Sequence, residues 1–189
     1  MKKILLLLSA GAFIIACNND KTAGASGGKG GGGGNTDSNA VTTKPDVALP
    51  YTASYSSSFE MGNPAYAAMI LQGSWKDWEN NTLDNMKNWI ADTVVAFHSD
   101  NVMVKGLDSL MARWKRGRAD YTSVIDTVNA VMPVYSTDKK ENWVLVWATE
   151  INTDSKGKTD TMALMETWRI NKDGKADMLL QFDRHARKK

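Results

Sequence analysis

The stretch Glu166–His185, ETWRINKDGKADMLLQFDRH, decides how the rest of the chain is read. Two runs rich in apolar residues flank Asn171-Lys172-Asp173-Gly174, a turn signal that pairs them as a hairpin. Each run carries an acid among apolar neighbours, Glu166 in the first and Asp183 in the second. Side chains alternate between the two faces of a strand. Met162, Leu164, Glu166 and Trp168 therefore share one face. Leu179, Gln181 and Asp183 share a face of the next strand, and Met178, Leu180 and Phe182 lie opposite.

Working outward, Trp143–Ile151 is a nearly continuous apolar strand. Asp154–Lys158 turns the chain, and Thr161–Ile170 returns. Tyr121–Tyr135 alternates, which predicts Val124, Val128, Ala130, Met132 and Val134 on one face. Helices precede these strands. Asn63-Pro64 suits a helix start, and Tyr66, Met69, Ile70, Trp75 and Trp78 follow at helical spacing, with Gly73 weakening or bending the run. Thr82 is expected to cap a second helix carrying Leu83, Met86, Trp89 and Ile90. Thr93–His98 and Val102–Lys105 read as a short hairpin around Ser99-Asp100-Asn101. After Gly106, helical spacing resumes at Leu107, Leu110, Met111 and Trp114. The order predicts an α+β domain in which N-terminal helices pack in a strongly curved, mostly antiparallel sheet.

The chain begins MKKILLLLSAGAFIIAC. A basic start, a short apolar run and small residues before Cys17 read as a secretory leader rather than a membrane span, which needs about 20 apolar residues. Ile14-Ile15-Ala16-Cys17 resembles a bacterial lipobox, which implies cleavage after residue 16 and acylation of Cys17. Membrane lipid is then a partner through that anchor, and the expected location is the bacterial cell envelope, facing the periplasm or the cell surface. An ordinary leader followed by a free thiol is the alternative. Cys17 is the single cysteine, so the mature chain has no intramolecular disulfide and no thiolate metal site. Residues 17–58 include a glycine tract and read as a tether of about 40 residues reaching on the order of 35 Å. Residues 59–189 form one domain containing all seven tryptophans.

Lys and Arg number 23 and Asp and Glu 21; without Lys2 and Lys3 the mature chain is formally neutral. That balance argues against nucleic-acid binding, which draws on a basic footprint. Arg113–Arg118 reads as a solvated helix end. Two distant histidines do not make a metal site. The glycine tract opens no helix after a strand, so no phosphate loop or cofactor is implied.

The two opening helices, ADTVVAFHSDNVMVKGLDSLMARW and WRINKDGKADMLLQFD together resemble the nuclear transport factor 2-like superfamily, also called SnoaL-like or ketosteroid isomerase-like. The match covers most of residues 59–189. A cystatin-like sheet wrapped on one helix is the nearest rival, and it would not need three helical segments. The resemblance implies a cone with a pocket open at one end, and it implies that Glu166 and Asp183 look into that pocket. It also departs from the isomerase pattern. Ala96 or Phe97 stands where the proton-shuttling Asp would be, and Ser74 and Trp75 occupy the region of the helix-one tyrosine, so steroid isomerisation is not expected.

The candidate ligand-binding residues are Trp75, Trp147, Met162, Leu164, Glu166, Trp168, Gln181 and Asp183. The catalytic candidates are Glu166, Asp183 and His98. For the acids, the alternative is a salt bridge to Arg169 or Arg184. His98 is otherwise a strand-end surface residue, and the aromatic and methionine residues are otherwise core. The leading expectation is a cone binding a small apolar or aromatic molecule. The others are an enzyme of the SnoaL or isomerase type, transferring protons with Glu166 or Asp183 and His98, and a homodimerising or protein-interaction domain using the outer face of the sheet.

Overall fold

The computed structural model describes residues 50–185. The leader, Cys17 and residues 17–49 of the tether lie outside the described residues, as do residues 186–189. The elements are β1 (Phe59–Met61), α1 (Pro64–Ile70), a π-helical segment Leu71–Lys76, α2 (Asp77–Glu79), a 3₁₀ turn Leu83–Asn85, α3 (Met86–Trp89), β2 (Ile90–Phe97), β3 (Met103–Lys105), α4 (Leu107–Ala119), β4 (Tyr121–Ser136), β5 (Glu141–Asp154), β6 (Thr159–Ile170) and β7 (Ala176–His185). They form one seven-stranded sheet of order β1-β4-β5-β6-β7-β2-β3. Only β2 and β7 pair in parallel; the other neighbours are antiparallel.

Local chemistry places the elements. Asn63 caps α1, its side chain accepting from Ala65 N at 2.9 Å, with Pro64 in the first turn. Gly73 lies in the π-helical segment for a steric reason. A Cβ there would sit 2.3 Å from Cε2 of the Trp89 indole, so only glycine lets α3 press against the first helical run. Gly174 takes φ +74° in the β6–β7 turn, as the hairpin signal predicts.

The core lies between the helices and the concave face of the sheet. Ile70, Met86, Val94 and Leu110 meet Val144, Val146, Trp168 and Leu179 there, all fully or almost fully buried. Edge-to-face contacts run from Trp78 to Trp114 (6.1 Å), Trp114 to Trp168 (6.1 Å) and Trp168 to Trp89 (5.3 Å). Such pairs add about 0.5–1.5 kcal/mol each beyond area burial.

The structure differs from the sequence reading in four places. A shift of register between Val128 and Ala130 breaks the single face expected of β4: Val128 lies opposite Ala148, but beyond the shift it is Val131 and Pro133 that oppose the inward Val146 and Val144. Ala130, Met132 and Val134 thus turn outward, because one extra residue inverts strand parity. Thr82 precedes a 3₁₀ turn rather than a full helix, and its hydroxyl donates to Asp77 Oδ1 at 2.8 Å instead of capping. Ile90 begins β2 instead of ending a helix. The tether was expected to run to residue 58, but Tyr55 packs edge-on against Trp143 and hydrogen-bonds Glu141, and Ser56 bonds Ser136 and Asp138.

Replacing Gly73 with alanine is expected to lower the urea midpoint, with overpacking costing about 1–3 kcal/mol. An unchanged midpoint in equilibrium unfolding followed by tryptophan fluorescence would show that the helix–indole approach carries no such constraint.

Candidate functional site

β5, β6 and β7 present their inward residues in register: Ala148 opposite Leu164, Glu150 opposite Met162, Glu166 opposite Gln181, and Leu164 opposite Asp183. Above them the helices leave a cavity of about 680 Å³ that opens to solvent. Its apolar wall includes Trp75, Trp78, Trp114, Met162 and Leu164; Glu150, Asn152, Glu166, Gln181 and His98 supply polar groups, and Arg113, Arg116, Asp120 and Asp183 also line it.

Glu166 is 4% exposed. Ser74 donates to its Oε2 at 3.1 Å, Trp168 Nε1 donates to the same oxygen at 2.9 Å, and Gln181 Nε2 donates to Oε1 at 3.0 Å. The π-helical segment delivers Ser74, whereas Trp168 and Gln181 follow from strand parity and pairing. Burial pushes the Glu166 carboxyl above its ordinary range, and the bonds from Trp168, Gln181 and Ser74 oppose that rise. The alternative salt bridge is not formed. Arg169 faces the other side of the sheet, where its Nε meets Asp177 Oδ1 at 2.8 Å.

Gln181 links Glu166 to His98. Because the Gln181 amide nitrogen donates to Glu166, its carbonyl is left to accept from His98 Nδ1 at 3.0 Å. That fixes the neutral ring as the Nδ1–H tautomer and leaves Nε2 as an acceptor, which has no hydrogen-bond partner among the described residues. Burial depresses the His98 pKa, with the Gln181 bond opposing and the Arg113 charge reinforcing it. The expectation of a surface histidine is therefore corrected. His98 is 7% exposed, because the chain turns back at Ser99–Asn101 and holds it over Gln181.

The structure brings together Trp75, Met162, Leu164, Glu166, Gln181, Asp183 and His98 around one cavity. Asp183 stands toward the rim, accepting from Ser99 Oγ at 2.7 Å. Two candidates do not join them. Trp147 pairs with Met165 on the convex side, since odd-numbered positions of β5 alternate away from Val146 and Ala148. Trp168 faces inward but is wholly buried between Trp89 and Trp114, and it reaches the cavity only through its bond to Glu166.

Sequence reasoning passed over Glu150 and Asp126. They sit directly opposite each other on β5 and β4. Glu150 is 5% exposed and accepts from Asn152 Nδ2 at 2.6 Å. Both Asp126 oxygens are buried, and among the described residues no N–H or hydroxyl donor reaches them. Burial, the charge of Glu150 and that of Glu79 push the Asp126 carboxyl up to about 8, so it keeps its proton at neutral pH, and burial raises Glu150 as well. The available signal was an acid at an inward position of an otherwise apolar strand, Ala148-Thr149-Glu150. Arg118 lies in the same interior, bonded to the carbonyls of Trp78, Tyr121 and Glu79 at 2.7, 2.8 and 3.1 Å, and its charge lowers the cost of ionised Glu150.

Among the described residues, no group of three or more His, Cys, Asp and Glu side chains is placed to hold a metal ion.

No family model matches the sequence, and no curated protein matches it. Solved structures do match. An NTF2-like protein of unknown function from Exiguobacterium sp. 255-15 superposes with a TM-score of 0.51 at 12% identity, covering 61% of this chain and 98% of its own. A putative SnoaL-like polyketide cyclase from Jannaschia sp. CCS1 gives a TM-score of 0.51 at 12% identity, covering 63% and 83%. The chain has the NTF2-like fold. A third neighbour in shape, a Mycobacterium tuberculosis protein in complex with estradiol-17beta-hemisuccinate, gives a TM-score of 0.51 at 17% identity, covering 62% and 92%. At these identities the likeness concerns the fold of the NTF2-like cone and not its chemistry.

The Asp126 carboxyl makes a testable pH signature for this cone. Its folded pKa lies above the ordinary 3.8, so the folded state holds a proton that the unfolded chain releases. Stability from this group is therefore greatest below about pH 4 and falls as pH rises toward 8. Asp126→Asn should remove that decline and raise stability at pH 8 relative to pH 5 by on the order of 1–2 kcal/mol, allowing for solvent screening. Urea unfolding at the two pH values measures it; parallel shifts of the two proteins would contradict the assignment.

Proposed function

We propose that this domain holds a small, mainly apolar or aromatic molecule in the cone. The observation that carries the reading is the cavity of about 680 Å³ left open among tryptophans, with the satisfied carboxyl of Glu166 in its wall. Pockets for small molecules typically measure about 300–1,000 Å³ and combine apolar walls with a few placed polar groups. Trp75, Trp78 and Trp114 give flat apolar surface, and Met162 adapts its shape to an occupant. The complex of a structural neighbour with estradiol-17beta-hemisuccinate is in keeping with this reading. Titrating the protein with estradiol-17beta-hemisuccinate or a naphthalene probe should change its tryptophan emission saturably. Leu164→Trp, which fills the cavity, should weaken binding at least tenfold. A linear, unsaturable response, or binding indifferent to Leu164→Trp, would remove the basis for the reading.

A second reading, acid–base catalysis, draws on the line His98–Gln181–Glu166. Neutral His98 presents an acceptor at Nε2, and the Gln181 carbonyl holds Nδ1–H in place. A proton taken by Nε2 would give an imidazolium supported through Gln181 by the Glu166 carboxylate. Such a base contributes about 10²–10⁴-fold. For any substrate turned over, the rate should rise through a pKa below 6.5 and then level, the direction burial gives His98. Glu166→Gln should lower kcat by about 10²-fold, while binding of a neutral apolar ligand changes far less. A pH-independent rate would leave the binding reading alone.

We further propose that acylated Cys17, exposed by removal of the leader, tethers the domain to the bacterial envelope through the glycine tract. No helix among the described residues is long and apolar enough to cross a membrane. Labelled palmitate should be incorporated into the full chain and lost from Cys17→Ser, which should also leave the membrane fraction. Incorporation into Cys17→Ser would contradict the tether.

A further inference from the structure

The acids around the cavity are more numerous than a purely apolar occupant requires. Glu150, Glu166, Asp120 and Asp183 line it against Arg113 and Arg116, and Arg113 is already paired with Asp100 at 2.7 Å. Three of those acids have partners that suit them: Glu166 accepts three bonds, Asp183 accepts from Ser99, and Asp120 is exposed. Glu150 is different. It is buried in the cavity wall against a second carboxyl, and Asn152 Nδ2 is its hydrogen-bond donor at 2.6 Å.

Beside it stands an unanswered acceptor. Asn152 is 1% exposed, lines the cavity, and its Oδ1 has no hydrogen-bond partner among the described residues. A buried carbonyl of this kind costs about 1–3 kcal/mol when left unpaired. Asn152 spends an N–H on Glu150, which sets its amide beside the Glu150 carboxylate among the residues that line the cavity. Trp75, Trp78, Trp114 and Tyr121 line the same cavity, and aromatic rings attract a cation over their faces. A neutral alcohol or phenol supplies one hydrogen; a primary ammonium supplies three donors and a positive charge.

We propose that the occupant of this cone is an amphiphilic cation, an apolar or aromatic body bearing a protonated amine that donates to Glu150 and to Asn152 Oδ1. The proposal deepens the ligand-binding reading and rests on it. The charged groups that face the Asp126–Glu150 pair are Glu79 from α2, Arg118 from α4, Glu166 from β6 and, farther out, Lys76, which is itself paired with Glu79. Arg118 is held by three backbone carbonyls, so the bound ammonium competes with no salt bridge there. Without ligand the carboxyl pair retains one proton. An ammonium docked on Glu150 stabilises the doubly ionised pair, so binding expels that proton from Asp126 to solvent. Charge is conserved: one cation enters and one proton leaves.

The test compares 2-(1-naphthyl)ethylamine with 2-(1-naphthyl)ethanol by calorimetry at pH 7.5, in phosphate and in Tris. The amine should bind at least tenfold tighter than the alcohol, and its enthalpy should differ between buffers in the sense of releasing up to one proton. Glu150→Gln should cut the amine-to-alcohol ratio to below threefold. Asp126→Asn, which tests the pair even where Glu150→Gln fails to fold, should keep the preference and lose the proton release. Equal affinity of amine and alcohol, or amine binding without proton release, overturns the cation and leaves the apolar cone standing. Failure of both probes to bind overturns the two together.

Discussion

The carboxyl group of Glu166 lies under the helical layer with both oxygens in demand, and the rest of the cone is organised by meeting that demand. Its three donors come from three parts of the chain: Ser74 from the helices, Trp168 from its own strand, and Gln181 from the neighbouring strand. Hydrogen bonds to a charged group contribute about 1.5–3 kcal/mol, and stripping a partner from a buried charge costs more. The first helical run is thereby tied to the sheet through its one point of helical irregularity. Gly73 makes that geometry available by letting Trp89 close in beside Ser74.

Around this tie, the tryptophans divide between support and lining. Trp89 and Trp168 are packed solid and hold the floor. Trp75, Trp78 and Trp114 are among the residues that line the cavity. Aromatic residues prefer edge-to-face contacts that do not close-pack as branched aliphatics do, so a chain of indoles can brace a hollow instead of filling it. Arg118 closes the far side by satisfying carbonyls at the end of the first helical run. Its charge and the proton retained by Asp126 make a second acid site tolerable in the same interior.

The cavity therefore has two polar poles. One is a closed relay in which Glu166, Gln181 and His98 already satisfy each other, except at His98 Nε2. The other, at Glu150 and Asn152, is satisfied on the protein side by a single short bond and leaves an oxygen over. The first pole is preorganised, its donors held in place by the helical run and the strand pair. The second is poised to change its proton count with its surroundings. The contrast follows from position: Gln181 reaches Glu166 across a strand pair, whereas Glu150 meets another acid across its own.

The fold was legible because a two-residue period, turn residues and helical spacing are local properties, written within a few residues of where they act. Parity grouped Glu166 with Trp168 and Gln181 with Asp183, the family resemblance implied that Glu166 and Asp183 look into the cone, and the Asn-Lys-Asp-Gly turn secured the register of the two strands. Parity failed at β4, where the irregularity near Asn129 answers to strand pairing and leaves no turn signature in the chain. It also could not tell Trp147 from Trp168, because which face of a long strand becomes the core depends on where the helices come to rest. His98 looked like a strand end and proved buried, since the three-residue turn after it folds β3 back alongside β2. Glu150 was visible as an acid in an apolar run, but its meaning required Asp126 opposite. Local sequence determined the strands, the turns and most of the inward-facing residues. Tertiary structure decided which buried acids meet donors and which meet each other, because a carboxyl group's energy depends on neighbours that the chain brings from far along its length.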